Sequence, residues 1–251
     1  MKIGIGLIAF NRHKAALDVA QSIVDHLDDR YEYKLVCCVD GSIGGHGTIN
    51  KRFNMVWHKN VGIGMNKNIA MMELLDCDHV ILIEDDILIV KPGWEHLLIS
   101  LHNESGIQYF PYNPVCQTRN HDKYPSGTIF YEKNHTAQVM SMTQQVLDKV
   151  GAFSPEYGTY GFEHCDYTER CKQARMHPQG YNRFACVLDL FQYTKHMDVR
   201  SCYTEQRKAD LIRRNFEVFK RGVKSVNVPF ADIQTILERK GIVIHREGQV
   251  Q

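Results

Sequence analysis

The chain has 251 residues, 43% of them apolar and 24% charged, which is enough sequence to bury a full hydrophobic core and too ordinary a mixture for a disordered arm. Length alone leaves one large domain or two small ones open, and we read it as one. A net charge of +1 excludes a molecule-wide field for nucleic acid or acidic membrane, so any such surface has to be local.

Lys2 to Phe10 is an apolar run that reads as a first strand. The run could pass for a signal peptide, but Asn11-Arg12-His13-Lys14 follows at once without a small-residue cleavage site, so a strand is the expectation. Ala15, Ala16, Val19, Ala20, Ile23, Val24 and Leu27 then recur at helical spacing. Tyr33 to Val39 forms the next apolar run and ends at Asp40-Gly41-Ser42, before a Gly-rich loop. Phe53 to Trp57 is a third strand candidate, Ile63 to Leu75 a helix, and His79 to Ile83 a fourth strand that ends in Glu84-Asp85-Asp86. After Pro92 another helix runs to about Leu101. This alternation predicts an α/β fold with a parallel sheet wrapped by helices, in which ligands bind beyond the carboxyl ends of the strands.

From Ile107 onward the segments are shorter and mixed: strand-like Ile129 to Tyr131 and Ala137 to Met142, a helix from Thr143 to Val150, and a Gly-rich stretch from Gly151 to Gly161. A helix from about Phe162 to Arg175, a strand near Phe184 to Leu188, and a last small helix and strand within Ile233 to Ile244 follow. In Lys195 to Lys224 the residues Arg200, Arg207, Lys208, Arg213, Arg214, Lys220 and Arg221 outnumber Asp198, Glu205, Asp210 and Glu217. Two readings stand: an amphipathic helix with Leu211, Ile212, Phe216 and Phe219 inward, or a grip on a phosphate-rich acceptor, nucleic acid included, through Arg207 to Lys224. No stretch approaches the roughly 20 apolar residues of a transmembrane span. Eight cysteines lie at irregular spacing with no Cys-x-x-Cys pair, so reduced thiols and a cytoplasmic location are expected.

The strongest chemical signal is Glu84-Asp85-Asp86. A buried strand delivers three acids to one end, where like charges repel and call for a counter-cation. Mg²⁺ or Mn²⁺ held together with nucleotide phosphates would supply it, since hard cations prefer carboxylate oxygens. A solvated acidic turn is the plainer alternative. Gly4, Gly6 and Ala9 formally match a dinucleotide-binding fingerprint, but the glycines interrupt the strand itself rather than the turn after it, so that match is set aside.

The stretch from His79 to Trp94, with Glu84-Asp85-Asp86 ahead of Pro92, resembles the acidic motif of GT-A glycosyltransferases, and its Glu-Asp-Asp form is similar to that of N-acetylglucosaminyltransferase I. Ala9-Phe10-Asn11-Arg12, Val39-Asp40-Gly41-Ser42, and Asn60 and Gly62 with Asn68 further on resemble family 2 glycosyltransferases in the same order. The resemblance implies a GT-A fold, a Rossmann-like, mostly parallel sheet flanked by helices with a smaller mixed acceptor-side region. A nucleotide-sugar half would span 1–105, an acceptor and catalytic half 106–200, and a C-terminal helical extension 201–251. It further implies that Phe10, Asn11 and Arg12 border the base and ribose and that Asp40 accepts a hydrogen bond from the base. Asn60, Gly62 and Asn68 would shape the nucleotide side of the pocket. Asp86 would be the principal ligand of Mn²⁺ or Mg²⁺, with Asp85 and Glu84 contacting ribose, sugar or metal-bound water. A polar cap at a helix start also accounts for Asn60 to Asn68.

A second cluster, Gly161-Phe162-Glu163-His164-Cys165-Asp166 with Arg170, resembles the Gly-Glu-Asp-x-Asp segment of GT-A enzymes, and Val150-Gly151-Ala152-Phe153 resembles its lead-in. In inverting members an acid of this segment deprotonates the acceptor hydroxyl. His164 stands here where a second acid is usual, so Glu163 is the first base candidate, Asp166 the next and His164 the third. Helix-capping acids, with Asp166 paired to Arg170 one turn on, are the alternative. His196 falls where several GT-A enzymes place a late metal ligand, although a lone histidine also serves as surface or packing. The function implied is metal-dependent transfer of a hexosyl or pentosyl unit from a nucleoside diphosphate sugar to an acceptor hydroxyl on a glycan, a small molecule or a hydroxylated nucleic-acid base. A nucleotidyltransferase and a catalytically inactive carbohydrate- or nucleic-acid-binding module are the rivals.

Overall fold

A computed structural model of the chain describes residues 1–41, 49–112, 120–132, 136–185, 190–194 and 204–246. The first half alternates as its periodicity predicts: β1 (Lys2–Phe10), α1 (His13–Asp25), β2 (Glu32–Asp40), β3 (Asn54–His58), α2 (Ile63–Glu73) and β4 (His79–Glu84). A short β5 (Ile87–Ile89) and α3 (Trp94–Ser105) follow the acidic turn. The second half supplies β6 (Tyr109–Pro111), β7 (His121–Tyr124), β8 (Gly127–Glu132), β9 (Val139–Thr143), α4 (Gln144–Lys149), α5 (Glu163–Gln173), β10 (Asn182–Ala185) and β11 (Phe191–Tyr193). Two helices, α6 (Glu205–Lys220) and α7 (Phe230–Arg239), and the two-residue β12 (His245–Arg246) complete the described chain.

The main sheet has seven strands in the order β12-β3-β2-β1-β4-β9-β6. β3, β2, β1 and β4 run parallel, whereas β9 pairs antiparallel with β4 and with β6. One sheet therefore runs through both halves of the sequence. Smaller sheets, β10-β8-β7 and β11-β5, lie beside it. The parallel strands read as continuous apolar runs because both faces are covered. On one face Ala16, Val19, Ala20 and Ile23 of α1 and Trp94, Leu98 and Leu101 of α3 pack on Ile3, Ile5, Leu7, Ile81 and Ile83. On the other, Met65 and Ile69 of α2, Val146 of α4, Tyr167 of α5 and Ile233 and Leu237 of α7 pack on Ile8, Val36, Val80 and Leu82. Each aliphatic side chain so buried contributes about 1.5–3 kcal/mol.

Strands β5, β6, β7 and β11 were not anticipated, because runs of three or four residues have no period to recognise. The strand expected near Phe184 to Leu188 is β10, and residues 186–189 lie outside the described ones. In α6 the inward residue is Asn215, wholly buried, while Ile212 and Phe216 are each 41% exposed. Leu211 and Phe219 are half-buried, so the helix rests on the flank of its apolar stripe and on a polar anchor rather than on the stripe's centre. Four of its basic neighbours pair within the surface, Lys208 with Glu205, Arg213 with Asp210, Lys220 with Glu217 and Lys224 with Glu156, and residues 195–203 lie outside the described chain.

Candidate active site

The sheet order reverses between β1 and β4: β2 and β3 follow on one side of β1, and β4 lies on the other. Such a switch point opens a crevice at the carboxyl ends of the two strands. Phe10-Asn11-Arg12 leaves β1 there and Glu84-Asp85-Asp86 leaves β4 beside it, with Ile8 in register with Glu84. Asn11 adopts the left-handed conformation at φ 52°, which asparagine tolerates better than most residues and which turns the chain sharply after the strand. The Arg12 guanidinium thereby sits 2.7 Å from Asp85 Oδ1 and 3.6 Å from Asp86 Oδ2. Asp85 Oδ2 also accepts the Phe10 N–H at 3.0 Å.

The three acids repel as their sequence implies, Glu84 and Asp86 helping to raise Asp85 and Glu84 helping to raise Asp86, but two of them also have a cation within the chain. Asp85 is neutralised by Arg12, and Glu84 is paired at 2.8 Å with Lys67, a fully buried ammonium from α2. Burial still pushes the Asp85 carboxyl up to about 7 against the pull of Arg12, and pushes Asp86 up to about 6 with Glu84 adding to it. Asp86 Oδ1 is buried without a hydrogen-bond partner. Among the described residues no group of three His, Cys, Asp or Glu side chains converges to hold a metal, and His196 lies outside those residues. A single carboxylate with an open oxygen still fits a hard cation, because Mg²⁺ and Mn²⁺ take one or two carboxylates and complete their shells with phosphate and water.

The residues expected on the nucleotide side divide. Phe10, Asn11 and Arg12 stand at the crevice. Asp40 is 3% exposed, and its two oxygens accept the N–H groups of Val61 and Gly62 at 2.7 and 3.0 Å. Burial raises its carboxyl, with His58 nearby lowering it. Asp40 thus fixes the chain entering α2, and Asn60 of that turn packs against Gly41. Gly62 has φ 93°, and a Cβ there would lie 2.4 Å from Thr159 Cα; the close approach it permits is to the chain's own 158–159 loop. Asn68 is buried too, exchanging hydrogen bonds with the Phe153 N–H and C=O at 2.7 and 3.0 Å. It pins α2 to the lead-in of the second cluster.

That cluster reaches the site through α5. Phe162 precedes the helix at φ 67°, a strained conformation for a bulky residue, and its ring packs 5.4 and 5.6 Å from those of Phe216 and Phe219. Glu163 and His164 of the first turn line a cavity of about 340 Å³ together with Glu84, Gln138, Tyr160 and Ile212. Burial opposes both charges, but a 3.4 Å contact between His164 Nδ1 and Glu163 Oε1 and the charge of Lys67 hold the Glu163 carboxyl down at about 2. Hydrogen bonds with Cys165 and Glu163 likewise outweigh burial and carry His164 up to about 10. The second oxygen, Glu163 Oε2, is buried without a partner. Asp166 is not among the lining residues: it accepts from Arg170 Nε at 2.9 Å and from the Tyr157 hydroxyl at 3.2 Å, the paired arrangement held open as an alternative.

Sequence reasoning missed Lys67 and Gln138. Lys67 had a signal, since Asn66-Lys67-Asn68 interrupts a helix that is otherwise apolar on every side, and such a helix has no solvent face to receive a lysine. Gln138 had none. It is placed only by β9 pairing with β4, where its carbonyl accepts the Glu84 N–H at 2.7 Å.

A sheet that reverses its order beside an acidic turn, with helices on both faces and a short antiparallel extension, is the GT-A architecture of glycosyltransferases, and this chain has it. No family model matches the sequence. It is 26% identical over 201 residues to an uncharacterized glycosyltransferase of Acanthamoeba polyphaga mimivirus, covering 71% of this chain and 76% of that protein. Among solved structures it is similar to S. aureus TarS in complex with UDP-GlcNAc, with a TM-score of 0.56 at 15% identity over 95% of this chain and 71% of that one. It is also similar to the catalytic domain of Drosophila β1,4-galactosyltransferase 7 in complex with xylobiose, with a TM-score of 0.52 at 13% identity over 91% of this chain and 83% of that one. Of a TarS fragment in complex with UDP it spans 57%, at a TM-score of 0.51, 14% identity and 74% of this chain. The chain is thus glycosyltransferase-like in fold and in its sequence relative. Among the described residues no helix is long and apolar enough to cross a membrane.

Proposed function

We propose that the chain is a metal-dependent glycosyltransferase that moves a hexosyl or pentosyl unit from a nucleoside diphosphate sugar to an acceptor hydroxyl. The observation that carries this reading is Asp86 Oδ1, an unpartnered buried carboxylate oxygen at the switch point, where a buried polar group without a partner calls for a ligand. Asp86 would hold Mn²⁺ or Mg²⁺ there, with Asp85 and His196 as the further candidates. When bound, the cation supplies charge neutralisation for the departing diphosphate. The UDP and UDP-GlcNAc complexes of TarS support a nucleotide donor. So does the resemblance of Phe10-Asn11-Arg12 and the acidic turn to family 2 enzymes.

The residues of the chain divide the remaining work. Arg12 fixes the direction of the acidic turn through its 2.7 Å contact with Asp85, and Phe10 and Asn11 flank the space beside it. Glu163 stays ionised at neutral pH, so its free oxygen can receive the acceptor's proton as the acceptor oxygen bonds to the sugar and the bond to the diphosphate breaks. His164 holds the other oxygen and orients the carboxylate. Release of nucleoside diphosphate from a panel of nucleotide sugars, followed with and without EDTA, tests the reading. Asp86→Ala should lower that release by about 10²–10³-fold or more while the protein keeps its melting temperature. Full turnover in EDTA, or an Asp86→Ala variant near the wild-type rate, would refute the metal site, and release of pyrophosphate from nucleoside triphosphates would favour nucleotidyl transfer.

A further inference from the structure

The cavity in front of Glu163 discriminates by what its walls leave unsatisfied. Its volume of about 340 Å³ is at the small end of ligand pockets, the size of a single ring with its substituents. Three donors in and beneath its wall are already engaged. The Thr136 hydroxyl donates to Tyr112 O at 2.8 Å, the Gln138 amide to the Tyr193 hydroxyl at 3.4 Å, and Lys67, beneath the floor, to Glu84 at 2.8 Å and Ala137 O at 3.2 Å. Two acceptors stay open. Gln138 Oε1 and Glu163 Oε2 are both buried with no partner, each at the end of a soft terminal torsion that can turn it toward the cavity. Two carboxylates, Glu84 and Glu163, face the same space with their counter-charges already in ion pairs. The remaining walls are His164, which pairs with Glu163, Cys165, and an apolar and aromatic part that includes Ile63, Tyr160, Phe162 and Ile212.

An anionic group would leave the two unpartnered oxygens unpaired and set its charge beside Glu84 and Glu163, whereas a neutral ring bearing hydroxyls supplies the donors that the two oxygens lack. Resting on the transferase reading above, we propose that the acceptor is a neutral saccharide unit and that Gln138 selects it. The reacting hydroxyl donates to Glu163 Oε2, a neighbouring hydroxyl donates to Gln138 Oε1, and the carbon face of the ring lies against Tyr160, Phe162 and Ile212. Gln138 reaches this place from the main sheet, and its amide is oriented by Tyr193 of β11. That arrangement keeps its oxygen free for a ligand.

Saturation-transfer NMR with methyl glucoside, methyl galactoside and their 6-phosphates, with and without UDP, tests the proposal on the whole chain. The neutral glycosides should bind, and the phosphates should bind at least about tenfold more weakly, because a site built to receive hydroxyls leaves its own groups unpaired against the wrong ligand. Gln138→Leu should weaken glycoside binding about tenfold, whereas Gln138→Glu, which keeps an accepting oxygen, should stay within about threefold of wild type. Phosphates binding as tightly as the neutral sugars, or an unchanged Gln138→Leu variant, would overturn it. UDP binding without any glycoside binding sinks this inference alone. Glycoside binding without binding of UDP or any nucleotide sugar sinks the transferase reading and leaves a saccharide site.

Discussion

Lys67 joins the two acidic regions that the sequence presents separately. Its ammonium is fully buried, pairs with Glu84 at 2.8 Å and lowers the Glu163 carboxyl from the other side of the site. Phe153, whose ring centroid is 5.7 Å from Nζ, completes its surroundings. Replacing one partner of a buried pair leaves the other charge without compensation, so Lys67→Met should destabilise the fold by about 3–5 kcal/mol in denaturant titrations. It should also raise the Glu163 carboxyl, moving the acid limb of the activity profile to higher pH. A profile that stays in place while stability falls would make Lys67 purely structural. The neighbouring Asn68 and Asp40 illustrate how a motif can be legible while its contacts are not. Both were assigned to the nucleotide side by resemblance, and both spend their side-chain hydrogen bonds on the chain's own backbone, at Phe153 and at Val61 and Gly62.

At the scale of elements, α6 and the 157–161 loop act together. Asn215 Nδ2 lies 2.6, 2.8 and 3.0 Å from the carbonyl oxygens of Tyr157, Tyr160 and Gly161. The same loop touches α2, where Thr159 O accepts the Ile63 N–H at 3.3 Å. It also carries Tyr160 into the cavity. Asn215→Leu strands these carbonyls and should cost about 2–3 kcal/mol, at roughly 1 kcal/mol per net hydrogen bond. Because the loop lines the cavity proposed for the acceptor, the acceptor KM should rise more than the donor KM. Equal changes in the two would separate the loop from acceptor binding. Gly62→Ala strikes the other anchor of this loop. A positive φ and a contact with the Thr159 backbone that cannot relax predict a loss of about 2 kcal/mol or more in thermal or chemical unfolding.

Across the whole molecule, the joint between the parallel and antiparallel parts of the sheet is polar and fully buried. Ser141 of β9 sits between His79 of β4 at 2.8 Å and His102 of α3 at 2.9 Å. His102 Nδ1 donates to Ile107 O at 2.6 Å, so its Nε2 accepts from Ser141, whose oxygen in turn accepts from His79 Nε2–H. The chain requires a neutral ring at His102, whose Nε2 must accept, and burial lowers His79 well below the usual histidine range and His102 to about 4. With folded values below the unfolded value of about 6.5, the pair contributes fully above that pH and loses its contribution as pH falls toward about 4. Asp85 and Asp86, raised by burial to about 7 and 6, act in the opposite sense, gaining stability as pH falls through the same range. Ring ¹⁵N spectra isolate the histidines. His102 should remain neutral with its proton on Nδ1 at pH 5, and an imidazolium spectrum at that pH would overturn the assignment.

The sequence by itself determined the succession β1-α1-β2-β3-α2-β4 and the placing of Asn11-Arg12 and Glu84-Asp85-Asp86 at strand ends. Hydrophobic period and terminal polar residues are local properties, and a folded chain of this alternation has few ways to arrange them. Tertiary structure alone decided that Arg12 turns onto Asp85, that Lys67 lies between Glu84 and Glu163, and that Gln138 stands beside the acidic turn. It also decided which flank of α6 is covered. These pairings join residues up to about a hundred positions apart, and their energy comes from burial and charge compensation that exist only once the sheet has closed around them.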